Sequence, residues 1–313
     1  MPGISILVVK QGQSLLELNH GLADVRAGIS CTAQTNYRLA SVTKQFTATL
    51  ILIATERSLL RLDQSIRDAL PELPNFCDGV TVHHLLNHTH GLSDYESLIP
   101  ENQRTALVDA DVLRMLMSNG ASYFVPGSKF RYSNTGYGLL ALIAERVFSF
   151  KFPEALRSFL FEPLQMKATL AYVSGGPEIT NRAYGYTVDD DEVLRTDQSM
   201  TSTVLGDGGI YSNTQDLAKW DAALYPGRLL QPDTCALAFS PSTITTRPEI
   251  GYGYGWFVQQ MHGEKVLCHT GETTGFRNAY FRCPSRQLSV IVLTNRYSED
   301  APRVARQLME DFW

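Results

Sequence analysis

The chain has no long hydrophobic run, no concentrated basic stretch and no CxxC pair. Its longest purely apolar stretch, Leu50 to Ala54, is far too short to cross a bilayer, so no membrane span is expected. Lys and Arg number 27 against 32 Asp and Glu, a net charge of −5. With no basic cluster to neutralise phosphates, a general nucleic-acid binder is excluded. The five cysteines are odd in number and scattered, which excludes a dense disulfide framework and points to reduced thiols in a cytoplasmic protein. The start, Met1-Pro2-Gly3-Ile4-Ser5-Ile6, has neither a charged leader nor an apolar core ending in small residues. No secretory signal is therefore expected, and a leader preceding this numbering would instead make the protein periplasmic or secreted.

What is present is a chain of 313 residues, long enough to bury a substantial core as one large domain or two interleaved ones. It is organised around Arg38-Leu39-Ala40-Ser41-Val42-Thr43-Lys44, which ends a polar run and opens an apolar helix. A small hydroxyl residue such as Ser41 suits a helix start, where backbone N–H groups lack intrahelical partners. Val42, Phe46, Leu50 and Ile53 then recur at helical spacing and predict a core face. Lys44 follows Ser41 by three residues, which stacks an amine on a hydroxyl and would let a neutral amine take the serine proton. Alone, SxxK reads first as a cap and a solvated lysine, so the catalytic reading depends on partners elsewhere.

In chain order, Ile4–Val9 and Leu15–Leu18 read as an antiparallel hairpin. A short helix is expected over 80–86, then Asn87-His88-Thr89-His90-Gly91. Histidines at 83, 84, 88 and 90 invite a zinc reading, but Leu85 occupies the place of the glutamate that a hydrolytic zinc helix needs, so loop hydrogen bonding is expected instead. A helix over 107–117 ends at Asn119-Gly120. Tyr132-Ser133-Asn134 should lie on a loop held between the Pro126-Gly127 turn and an amphipathic helix from Leu139 to Phe148. Pro153 opens another helix as an N1 residue, 174–203 reads as a long connection with little periodicity, and a helix over 216–224 starts behind Asn213-Thr214. The last third is β-prone over 251–258, 265–269, 276–281 and 288–293, and Pro302 admits a closing helix. Strands at both ends and helices between them imply an α/β (α+β) protein: one sheet from the two termini, flanked by helices, with a helical insertion.

Ser41-Val42-Thr43-Lys44, Tyr132-Ser133-Asn134 and His269-Thr270-Gly271, in that order, make the chain resemble the serine β-lactamase and penicillin-binding-protein superfamily. More narrowly it is similar to the branch of class C β-lactamases, D-alanyl-D-alanine carboxypeptidases and family VIII esterases. The likeness includes Leu85-Leu86-Asn87-His88-Thr89 and runs through almost the whole chain. It implies a β-lactamase/transpeptidase-like fold, an α/β domain from 1–38 and 204–313, a mostly helical domain from 39–203, and an active site in the cleft between them. It further implies Ser41 as the nucleophile of an acyl-enzyme, Lys44 sharing its proton, and Tyr132 as the phenol that relays protons, with lysine or tyrosine as principal base left open. Asn134 would bind the substrate's amide side chain. The backbone N–H groups of Ser41 and Glu272 would form the oxyanion hole on a strand edge bearing Thr270 and Gly271, each donor contributing roughly 3 kcal/mol.

His269 departs from the lysine usual in β-lactamases of this superfamily and matches the histidine of some carboxypeptidases and D-aminopeptidases of the branch. A histidine cation there would anchor a substrate carboxylate less well as pH rises through its pKa. The implied function is a serine hydrolase acting on small amides or esters, including short peptides with D-residues, with no cofactor. A class C-like β-lactamase and a non-catalytic scaffold of the same fold are the alternatives. Relatives generally carry a helix before the first strand. Its lack here predicts that the outer face of Ile4–Val9 is partly uncovered, as an apolar patch or the contact of a homo-oligomer.

Overall fold

The computed structural model describes residues 1–189 and 192–313. Its centre is an eight-stranded antiparallel sheet made of β1 (Ile4–Lys10), β2 (Gln13–His20), β3 (Thr243–Ile244), β4 (Gly251–Tyr252), β5 (Phe257–Met261), β6 (Glu264–Thr273), β7 (Phe276–Cys283) and β8 (Leu288–Thr294). The strand order is β3-β4-β5-β6-β7-β8-β1-β2, so the amino-terminal hairpin is laid against the last strand, with Ile4 opposite Thr294 and Lys10 opposite Leu288. This sheet draws on both ends of the chain, as the sequence pattern implied.

Side-chain alternation along β8 fixes the layers, because successive residues of a strand face opposite sides. Val290 and Val292 join Ile6, Val8 and Phe281 beneath the closing helix Ala301–Asp311, which contributes Ala301, Ala305 and Met309. Ile291 and Leu293 point the other way, into the large core with Leu7, Leu217 and Trp220. Ile6 and Val8 are therefore buried by the closing helix, and the expected uncovered face of β1 is not there. The exposed apolar side chains of the hairpin are instead Leu15 and Leu18 on the edge strand β2.

Helix α1 (Lys44–Glu56) runs through the large core and packs against α2 (Asn134–Phe148). The expected face of Val42, Phe46, Leu50 and Ile53 is buried, but so is every residue from Lys44 to Ala54. Polar groups on its other faces find partners inside the protein: Thr47 Oγ1 donates to Gly206 O at 2.7 Å, and Gln45 Oε1 accepts from Trp220 Nε1 at 3.0 Å, while Gln45 Nε2 is buried with no partner among the described residues. A helix surrounded in this way holds whatever its first turn carries very firmly. Each fully buried Leu or Ile adds about 1.5–3 kcal/mol.

Other expectations shift in detail. The helix that follows the Pro126-Gly127 turn begins at Asn134 and not at Leu139, so Asn134 is its first residue. The helix at Pro153 is Phe152–Leu156, continued by a wider turn over Arg157–Phe161. The stretch 174–203 contains a strand pair, Tyr186–Asp189 with Glu192–Arg195. No helix among the described residues is long and apolar enough to cross a membrane.

Candidate active site

The nucleophile candidate is carried by a tight turn. Ser41 lies second in a 3-10 turn, Ala40–Thr43, directly before α1, and its side chain caps no backbone N–H. The expected capping role is thus replaced by another bond: Ser41 Oγ accepts from Lys44 Nζ at 3.1 Å. Ala40 has φ +49°, a left-handed conformation that costs a residue with a Cβ about 1–2 kcal/mol and turns the next side chain out of the helix direction.

Lys44 is fully buried. Its amine donates to three acceptors: Ser41 Oγ, Asn134 Oδ1 at 2.8 Å and the backbone oxygen of Asp207 at 2.9 Å. Three donors meet three acceptors in a charged amine. A neutral amine also fits, giving two N–H bonds and taking the serine proton on its lone pair. The oxygen of Asp207 is delivered by the short helical turn Leu205–Gly208, whose first N–H groups are held by the Asp109 carboxylate at 3.0 Å each. Burial pushes Asp109 up to about 6 and Asp207 up to about 7.

The opposite wall is β6. Its pairing with β5 ends at Cys268, so from His269 onward one edge is released from that partner and meets the Ser41 turn. Gly271 makes this approach feasible, because a Cβ there would lie 2.0 Å from the backbone oxygen of Leu39. Glu272 follows next to the Ser41 turn. Its side chain leans outward, accepting from Tyr297 Oη at 2.9 Å and pairing with Arg277 at 3.5 Å. Thr270 is half-buried.

His269 differs from expectation. It is buried, with Nδ1 at 2.7 Å from the Thr270 carbonyl and Nε2 at 3.1 Å from Tyr252 Oη. A carbonyl only accepts, so Nδ1 carries the proton and Nε2 takes the phenol's hydrogen bond. Burial, with the charge of Lys44 beside it, pushes this imidazole down to about 3. It is therefore neutral across the physiological range and is not a pH-tuned cation for a carboxylate.

Tyr132 is brought to the site with its ring centroid 5.0 Å from Lys44 Nζ. Among the described residues no hydrogen bond joins its hydroxyl to Ser41 or Lys44; the amine lies against the ring. Catalytic contacts of this kind commonly tighten only when substrate is bound. Behind Tyr132 is a residue that sequence reasoning assigned only to loop hydrogen bonding: His88 packs at a tilt of 36° against the ring with centroids 4.3 Å apart, and its Nδ1 accepts from Ser133 N at 3.3 Å. Burial holds His88 well below its usual pKa, and its Nε2 has no partner among the described residues. The four histidines serve separate local bonds, and among the described residues no group of three or more ligating side chains could hold a metal ion.

Sequence reasoning missed two acids. Glu96 and Asp207 line the narrow cleft together with Ser41, Asn134, Arg38 and Glu272. Glu96 lies 38 residues from Asn134, and only the fold joins them. For Asp207 the run Gly206-Asp207-Gly208-Gly209 was a visible signal, an acid in a tight turn with no surface pattern around it.

Comparison with known proteins bears on the family and the fold. A family model described as Beta-lactamase matches residues 1–311. Penicillin-binding protein 4* of Bacillus subtilis (strain 168) is 32% identical over 307 residues, which is 93% of this chain and 68% of that protein. The chain spans 62% of the length of further curated relatives. Among solved structures, an octameric penicillin-binding protein homologue from Pyrococcus abyssi superimposes with a TM-score of 0.89 at 25% identity, covering 98% of this chain and 72% of the other. A D-amino acid amidase from Ochrobactrum anthropi SV3, in complex with L-phenylalanine, gives 0.83 at 25% identity, covering 96% and 87%.

Proposed function

Because the chain belongs to the beta-lactamase family and is a serine hydrolase, we propose that it cleaves small amides or esters, including D-aminoacyl amides and short peptides, through an acyl-enzyme on Ser41. The observation that carries this reading is the fully buried Lys44 amine, 3.1 Å from Ser41 Oγ and held in place by Asn134 Oδ1 and the oxygen of Asp207. The serine oxygen attacks the substrate carbonyl while its proton passes to Lys44. The tetrahedral oxyanion is received by the N–H groups of Ser41 and Glu272, at the close contact that Gly271 permits. Collapse expels the amine or alcohol, which takes the proton through Lys44 or Tyr132, and water then releases the acid by the reverse route.

The neutral His269 supports substrates that need no carboxylate anchor, which favours amides and esters over carboxypeptidase or β-lactam substrates. The cleft lies between the sheet domain assigned to 1–38 and 204–313 and the helical domain assigned to 39–203. Five unpaired, buried cysteines support a reducing compartment. The octameric relative supports self-association, for which the exposed Leu15 and Leu18 of β2 are the candidate contact.

The test is a hydrolysis panel of D-aminoacyl amides, D-alanyl-D-alanine peptides, p-nitrophenyl esters and a chromogenic cephalosporin, with wild type and Ser41→Ala. Turnover of amides or esters that disappears in the variant supports the proposal. Rapid multi-turnover cephalosporin cleavage would favour a β-lactamase, and no labelling of folded protein by a fluorophosphonate would favour a scaffold.

A further inference from the structure

One histidine grips the Tyr132 loop at three successive residues. The backbone oxygen of His88 accepts from Arg131 N at 3.0 Å, its imidazole packs against the Tyr132 ring with centroids 4.3 Å apart, and its Nδ1 accepts from Ser133 N at 3.3 Å. Neighbouring bonds zip the same two segments together: Gly127 N donates to Thr89 O at 2.9 Å, and Tyr123 N to Gly91 O at 2.7 Å. His88 has φ +61°, a left-handed conformation that costs a residue with a Cβ about 1–2 kcal/mol. In that conformation its carbonyl and its ring both meet the loop.

His88 is itself immobilised from behind. It is fully buried, and the Tyr137 and Tyr252 rings lie 5.2 Å and 4.7 Å from it between centroids. Tyr137 is tied through its hydroxyl to Leu86 O at 2.8 Å, and Tyr252 through its own to His269 Nε2 at 3.1 Å. Because Nδ1 takes an N–H, the imidazole proton sits on Nε2, which has no partner among the described residues. The carbonyl, the ring face and Nδ1 are thus the parts of His88 in use, and all three are turned to the loop. With the backbone on both sides of Tyr132 fixed, the freedom left to its hydroxyl is rotation of the side chain, whose ring already lies 5.0 Å from the Lys44 amine. A group that relays protons tolerates little misplacement: a shift of about 1 Å lowers a rate by about 100-fold.

We propose that His88 is the positioning residue for Tyr132: its carbonyl, ring and Nδ1 clamp the loop so that the phenol is presented in one place in each turnover, and the step this governs is protonation of the leaving group. This rests on the acyl-enzyme reading given above, with Tyr132 as the relay. His88 is buried and acts through the phenol. Loss of the clamp therefore falls on leaving groups that depart only when protonated: an anilide needs the proton, whereas p-nitrophenolate leaves without it.

The experiment measures kcat/KM, which reports formation of the acyl-enzyme, for D-alanine p-nitroanilide and D-alanine p-nitrophenyl ester. The proteins are wild type, Tyr132→Phe, His88→Ala and His88→Asn, with fluorophosphonate labelling of Ser41 and melting temperatures alongside. Asparagine tolerates a left-handed φ and offers an amide oxygen near the place of Nδ1. His88→Ala should lower the anilide value by about 100-fold and the ester value by less than about 5-fold, and His88→Asn should recover about tenfold of the anilide loss. Where His88→Ala does not fold, His88→Asn carries the comparison, with an anilide loss of about 10-fold against an ester loss within about 2-fold. Equal losses on the two substrates in a folded variant overturn the clamp, as does an anilide value that no His88 variant changes while Tyr132→Phe lowers it; both leave the hydrolase reading standing. A wild type that labels at Ser41 but does not cleave the anilide, or a Tyr132→Phe variant as active on it as wild type, overturns the relay and the clamp with it. A folded wild type that does not label at Ser41 overturns the hydrolase reading as well.

Discussion

On the Lys44 wall of the cleft every proton of the amine has an acceptor, whereas on the aromatic wall, drawn from both domains, the rings around Tyr132 pack with few hydrogen bonds between them. The Lys44 wall carries the titratable groups: one buried amine and, toward the opening, the acids Glu96 and Asp207. The aromatic wall is uncharged at its histidines, because burial keeps His269 and His88 neutral. The first wall is fixed before substrate arrives; the second still has a phenol to bring into bonding range. The difference assigns bond-breaking to the Lys44 wall, and shape and proton relay to the aromatic one.

Removing the nucleophile from the charged wall should have the largest effect. Ser41→Ala is expected to lower kcat by about 10⁴-fold or more, with an unchanged far-UV CD spectrum and melting temperature, measured on a p-nitrophenyl ester. Retained turnover would dissolve the contrast between the walls.

Gly271→Ala attacks the junction where the two walls touch. A Cβ placed 2.0 Å from the oxygen of Leu39 must push β6 away from the Ser41 turn. Stability should fall by about 1–3 kcal/mol in urea unfolding. Activity should fall further than stability explains, since the strand-borne oxyanion donor moves with the backbone.

A smaller effect is expected from pH. Asp207 faces Lys44, Tyr95, Glu96 and Asp109, and burial places it at about 7. A raised carboxyl is neutral below that value and charged above it. Attraction for a substrate ammonium should therefore strengthen as pH rises through 7 until the amine itself deprotonates at about 8, giving a several-fold rise in kcat/KM of a free-amine substrate between pH 6 and 7.5 that the N-acetylated analogue lacks. The smallest effect is expected on the neutral wall. With His269 pushed down to about 3, the inhibition constant of a D-alanyl-D-alanine peptide should show no histidine inflection between pH 5.5 and 8, whereas His269→Lys should tighten it by supplying a cation.

Much of this architecture is legible in local pattern. The SxxK spacing, the hairpin over residues 4–20 and the alternation along β8 depend on periods of a few residues, and those survive folding unchanged. What is not legible depends on burial and on contacts distant in sequence. Ser41 looks like a helix cap until Lys44 is seen to occupy its oxygen. His269 looks like a pH-sensitive cation until Tyr252 and the Thr270 carbonyl enclose it. Asn134 looks like a loop residue because glycines at 136 and 138 weaken the helical pattern, yet Gly136 is packed against His90 and Gly138 against Val112. Glu96 has no signature of its own and gains meaning only beside Asn134.

The most direct test of the central claim is to expose the protein to p-nitrophenyl acetate, quench in acid and map the peptides by mass spectrometry. The account predicts a single acetyl group on Ser41, formed in a burst in wild type and far more slowly in Lys44→Ala. An acetyl group elsewhere, or on Ser41 at an equal rate without the lysine, would contradict it.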